Sequence, residues 1–127
     1  MSCKITELAI DCADPAALAQ FWCTALGYEV QELGDGLVSI GAPTGNDREG
    51  PGPVTPALTF ARVPEGKVVK NRLHFDVNPT DRDQEAEIDR LLLLGASYSD
   101  VDQDEHPWAV LEDPEGNEFC VLATRLS

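Results

Sequence analysis

Residues 72–95 read RLHFDVNPTDRDQEAEIDRLLLLG, and this stretch decides the fold. In its first six residues Leu73, Phe75 and Val77 alternate with His74 and Asp76. That is the period of a strand with one apolar face. Ile88, Leu91 and Leu92 then recur at helical spacing, and Gly95 is a helix stop. The pattern predicts Leu73, Phe75 and Val77 beneath that helix, which leaves an imidazole and a carboxylate on the opposite face of the strand.

The same order occurs once before. Residues 5–12, ITELAIDC, set Leu8, Ile10 and Cys12 against Glu7, Ala9 and Asp11. The next fifteen residues, ADPAALAQFWCTALG, carry Asp14 as N-cap, Pro15 at the first helical position and Gly27 as the stop. Leu18, Phe21, Trp22, Ala25 and Leu26 form the apolar stripe, so Trp22 is expected in the core. Glu7 precedes Gly27 by 20 residues and His74 precedes Gly95 by 21, which makes them equivalent positions.

Each helix is followed by three strands. YEVQEL, a GDG turn and LVSIGA read as a hairpin, and ALTFARV as the strand after it. The second set is ASYSDV, WAVLE and EFCVLATR, with DPEGN as a tight turn before the last. Residues 43–56, PTGNDREGPGPVTP, and 102–107, DQDEHP, read as loops. PEGKVVKN crosses between the copies. Strand, helix and three strands are thus written twice, an internal repeat of a whole supersecondary unit.

The expected fold is α+β: two βαβββ modules, about 1–63 and 70–127, within a single domain 1–127. Each module is expected to be a curved antiparallel sheet with its helix outside. Paired about a pseudo-twofold, the two would form a curved mixed sheet around a cleft. His74, Asp76, Glu7 and Asp11 are expected to face that cleft.

Composition bounds the function. The chain has 127 residues, 43% hydrophobic and 25% charged, with a net charge of −14 from 23 acidic and 9 basic residues. That field repels phosphate backbones and anionic bilayers, so neither nucleic acid nor membrane is an expected partner. No run approaches membrane-spanning length, and MSCKITELAI lacks a signal peptide's apolar core. Cys3, Cys12, Cys23 and Cys120 show no CxxC spacing. They read as free thiols, and the protein as cytoplasmic.

The repeated module, with DP, FW and LGY early and DPEGNEF late, resembles the vicinal oxygen chelate superfamily, also called the glyoxalase/bleomycin resistance/dioxygenase fold. Within it, VPEGKVVKNRLHFDV followed by DPEGNEFCVL is similar to the glyoxalase-like domain subfamily. The resemblance implies the paired-module fold, a small-molecule ligand and a homodimer. It also implies a metal set drawn from the first and last strands of each module. Carried onto this chain, those places are Glu7, His74 and Cys120, where the family's usual carboxylate is replaced by the thiol. The fourth-strand place falls near Phe60, Ala61 or Arg62, which offer no ligand atom. The cofactor is left unknown, with a divalent metal as an open option.

The ligand-contacting candidates are His74, Asp76, Trp108, Phe60 and Arg62. Trp108 offers a flat apolar wall. Arg62 belongs to a basic cluster with Lys67, Lys70 and Arg72, four of nine basic residues within eleven positions. That cluster is read either as a solvated linker or as an anchor for an anionic ligand. Each candidate also has an ordinary role: His74 as a strand histidine paired with a carboxylate, Cys120 and Trp108 as packed side chains. Two functions stay open. One is a small-molecule-binding, bleomycin resistance-like protein with an incomplete metal set. The other is a metal-dependent lyase, isomerase or transferase on a small oxygen-bearing substrate.

Overall fold

A computed structural model describes residues 3–43, 54–100 and 106–126. Most of the expected 43–56 loop and part of the 102–107 loop lie outside the described residues. The chain divides into two compact units, Met1–Gly66 and Lys67–Ser127. Each has the same plan of strand, helix and three strands, so the fold is α+β with two βαβββ modules.

The first unit contains β1 (Glu7–Cys12), α1 (Pro15–Leu26), β2 (Glu29–Gly34), β3 (Leu37–Gly41) and β4 (Ala57–Arg62). α1 begins where the sequence predicts. Asp14 accepts a hydrogen bond from the Ala17 N–H, Pro15 opens the helix, and Gly27 closes it at φ +71°. A side chain is disfavoured at that φ, so glycine is the residue that fits. α1 packs on β3 and β4. Its stripe of Leu18, Phe21 and Trp22 is buried, with Phe21 edge-on to Trp22 at 5.0 Å between ring centroids.

The second unit contains β5 (Phe75–Val77), α2 (Gln84–Leu94), β6 (Ser97–Tyr98), β7 (Ala109–Glu112) and β8 (Glu118–Val121). Asp83 caps α2 through the Ala86 N–H, and Ile88 and Leu91 are buried. The DPEGN turn is held by one carboxylate. Asp113, nearly fully buried, accepts from the backbone N–H groups of Glu115 and Asn117 and from the Asn117 amide. Gly116 supplies the positive φ of +84° that the turn requires.

Two expectations need correction. The sheets are mixed rather than antiparallel, because the first strand of each unit pairs in parallel with the last: the orders are β1-β4-β3-β2 and β5-β8-β7-β6. Alternation alone does not distinguish parallel from antiparallel partners. The strand expected over 72–77 begins only at Phe75, where its ladder with β8 starts at Phe119. Leu73 therefore has no sheet to rest on and is 81% exposed, not buried beneath α2.

Candidate functional site

The β5–β8–β7 register builds one polar patch in the second unit. Asp76 lies opposite Cys120, and Cys120 opposite Val110, so these three side chains share a face. His74 stands two residues before Asp76, and Glu118 and Trp108 two residues before Cys120 and Val110. The period of 2 puts them on the same side. Together with Lys70 and Leu122 they line a cavity of about 320 Å³.

Three metal-ligating side chains converge there. His74 Nδ1 is 3.2 Å from Asp76 Oδ1, and one donor atom each of His74, Asp76 and Cys120 lies within 4.8 Å of the others. Cys120 is buried, whereas His74 and Asp76 are 40% and 51% exposed. Tetrahedral donors around one Zn²⁺ stand roughly 3.5 Å apart, and a closed-up group of this kind leaves a fourth position open. The two exposed side chains are free to turn the remaining distance. An imidazole, a carboxylate and a thiol thus fit a borderline-soft divalent ion such as Zn²⁺ better than an oxygen-preferring one.

Glu118 anchors one wall. Its carboxylate accepts from Lys67 Nζ at 2.8 Å and from the Asn71 N–H at 3.0 Å, while Asn71 also donates to Asn117. These bonds clip the 67–71 segment onto β8. Burial pushes the Glu118 carboxyl up, but the hydrogen bonds from Lys67 and Asn71 outweigh it and hold the group below the usual carboxylate range.

Trp108 is held by its neighbour. His106 stacks on it with ring centroids 4.1 Å apart and planes 12° from parallel, and His106 Nδ1 contacts the Trp108 carbonyl at 2.6 Å. Trp108 lines the cavity.

The remaining candidates fall in the first unit. Glu7 Oε2 accepts from Thr59 Oγ1 at 3.0 Å, and Thr59 Oγ1 is 2.7 Å from Ser39 Oγ. A hydroxyl has one proton to give, so Thr59 donates to the carboxylate and Ser39 donates to Thr59. Phe60 is fully buried, on the opposite face, in a ladder row with Ile10 and Val38. It packs as a core residue of the first unit. Arg62 ends β4 and lines a shallow depression with Asp35, Gly36, Val63 and Pro64.

Sequence reasoning gave Asp76 as a ligand contact rather than as a member of the metal-ligating group, and missed Glu118, Val110 and Leu122 as lining. Period-2 alternation along the last two strands was sufficient to find Glu118, Val110 and Leu122 beside Cys120 and Trp108. Lys70, one of the basic cluster read as a linker or as an anion anchor, sits in a segment without regular structure and lines the cavity.

Two units of this plan define the class of paired βαβββ folds seen in glyoxalases, bleomycin resistance proteins and dioxygenases. The chain belongs to the glyoxalase-like domain family, whose model matches residues 7–122. No curated protein sequence matches it. Among solved structures it resembles a glyoxalase/bleomycin resistance protein/dioxygenase family enzyme from Burkholderia phytofirmans PsJN, at 19% identity and TM-score 0.61, over 94% of this chain and 97% of that one. The fosfomycin resistance protein FosX from Mesorhizobium loti gives 10% identity and TM-score 0.65 over 94% and 92%. A mutant FosX from Listeria monocytogenes, complexed with Mn(II) and 1S,2S-dihydroxypropylphosphonic acid, gives 10% and 0.69 over 97% and 90%. At these identities the likeness is one of fold. Among the described residues no helix is long and apolar enough to cross a membrane.

Proposed function

We propose that this protein binds a small molecule in the cavity of its second unit, with His74 at the centre of the site and Asp76, Cys120 and Trp108 around it. The observation that carries the reading is the convergence of His74, Asp76 and Cys120 within 4.8 Å on the wall of a cavity of about 320 Å³. That volume suits a ligand of about one ring, at the lower end of small-molecule sites.

The donor set favours a second reading, a metal-dependent lyase, isomerase or transferase on a small oxygen-bearing substrate. His74, Asp76 and Cys120 would hold the ion, and a bound divalent cation supplies polarisation of substrate oxygens. The FosX complexed with Mn(II) is a fold relative that carries a divalent ion, of a kind that prefers oxygen donors to the thiol present here. The chain's own part is to orient the ligand: His74 offers a hydrogen-bonding ring nitrogen, Asp76 fixes that ring, and Trp108, Val110 and Leu122 exclude water.

The protein is further proposed to be a cytoplasmic homodimer. Its four cysteines are free thiols, which suits a reducing compartment, and fold relatives commonly pair. Light scattering that gives a monomer at micromolar concentration contradicts the dimer.

Native mass spectrometry of protein purified without chelator tests the main reading. A metal or small-molecule adduct is expected on the parent and is expected to be lost in His74→Ala. The variant should keep the parent's circular dichroism, because the His74 side chain is 40% exposed and carries little of the core. An adduct that survives the substitution places the site elsewhere.

A further inference from the structure

Resting on the reading of the second-unit cavity as the ligand site, we infer that its ligand is a planar aromatic anion, with the ring laid on Trp108 and the anionic group on Lys70. The charges around the cavity carry the first half of this inference. Of its lining residues, Glu118 is already met by the Lys67 ammonium at 2.8 Å, and Asp76 Oδ1 lies 3.2 Å from the His74 ring nitrogen Nδ1. Among the described lining residues, Lys70 is the remaining cation. Lys70 is exposed, and its ammonium donates a long hydrogen bond, 3.3 Å, to the Asn71 carbonyl. An ammonium has three donors, so most of its capacity is available to an incoming acceptor.

The position of this cation is notable in a chain of net charge −14. At long range such a protein repels anions, so a lysine on the wall of a cavity is the feature that makes anion capture local and selective. Lys67 alone is sufficient to neutralise Glu118. Lys70 is held beside it because the Asn71 N–H and Asn71 amide clip the segment to Glu118 and Asn117.

The second half rests on Trp108. Its indole is 39% exposed, yet it is fixed by the stack on His106 at 4.1 Å and by the contact of His106 Nδ1 with the Trp108 carbonyl. Trp108 lines the cavity while His106 does not, so part of the tryptophan borders the cavity. A preset aromatic surface binds a flat ring with little entropy loss, and Val110 and Leu122 complete an apolar floor. A cavity of about 320 Å³ admits one ring with its substituent.

Calorimetric or ligand-detected NMR titration with three probes tests this: benzoate, benzamide and cyclohexanecarboxylate. The parent should bind benzoate about fivefold more tightly than benzamide, from one exposed ion pair. It should prefer benzoate to cyclohexanecarboxylate by a similar factor, from ring stacking. Lys70→Gln should remove the first preference and keep the second, and Trp108→Leu should do the reverse. Both side chains are exposed enough for the variants to fold, which circular dichroism checks. A parent that does not distinguish benzoate from benzamide, a Lys70→Gln variant that still does, or no binding of any probe overturns the inference. In those cases the cavity reading still stands or falls on the adduct test with His74→Ala. Probe binding that is unchanged in both His74→Ala and Lys70→Gln overturns both.

Discussion

Replacing Glu118 by Gln isolates the clip that forms one wall of the site. Glu118 is 5% exposed and accepts two hydrogen bonds, one from an ammonium and one from a backbone N–H. Glutamine keeps the shape, and its carbonyl oxygen can still accept from Asn71, but its amide N–H faces the Lys67 ammonium. A hydrogen bond to a charged group contributes about 1.5–3 kcal/mol. Lys67 is 22% exposed and can swing toward water, which keeps the loss from reaching the cost of a fully stranded ion. The expected destabilisation is about 2 kcal/mol at neutral pH, or roughly 8 °C in melting temperature for a chain of this size. The effect has a pH signature. The folded carboxyl is held below its ordinary value of 4.5, so its stabilisation is fully present above that pH and is lost as pH falls through the folded pKa. Urea unfolding of the parent and of Glu118→Gln, followed by circular dichroism from pH 7 to pH 3, should show a stability gap that narrows below about pH 4.5. A variant as stable as the parent at pH 7, or a gap of constant size across the range, refutes the role given to this carboxylate.

Other outcomes follow from the same packing. Asp113→Ala removes the acceptor for two backbone N–H groups and an amide in the DPEGN turn, and should cost about 2–3 kcal/mol in chemical denaturation. Phe60→Ala should cost about 3–5 kcal/mol while leaving ligand affinity of the folded fraction unchanged; a selective loss of affinity would return Phe60 to the binding surface. Maleimide should label exposed Cys3 first and buried Cys12 and Cys120 last. Cys23 should need higher pH than an ordinary thiol, because burial, and then the Glu29 charge, push it up; mass-mapped labelling rates against pH check both points.

The fold was legible because two signals agreed twice. Asp14, Pro15 and Gly27 mark both ends of α1, and period-2 alternation marks the strands that flank it. What was not legible is partner choice. Nothing in ITELAIDC or RLHFDV states that each pairs in parallel with the last strand of its unit, and that pairing decides where β5 begins. Leu73 shows the cost: it keeps the alternation but lies outside the ladder, so an apolar residue stands in solvent. Half of the site was legible for the same reason. His74 and Asp76 share a face by the alternation of RLHFDV, whereas Cys120 was placed by the family resemblance. The Glu118 clip, and which lysine of the basic cluster reaches the cavity, depend on how an irregular segment folds back, which no periodic pattern records. The burial of Phe60 was not legible either, because its face of β4 is fixed by register with Ile10 and Val38.

The chain has two histidines, His74 and His106, so an imidazole ¹H–¹⁵N spectrum contains two ring systems, and His74→Ala assigns them. Titrating the labelled protein with Zn²⁺ and with a library of small fragments, benzoate among them, then reads the site directly. If the cavity of the second unit is the binding site, every ligand that binds there shifts the His74 ring signals, and the same ligands lose affinity for His74→Ala. Binders that leave the His74 signals in place contradict the assignment of this cavity as the site.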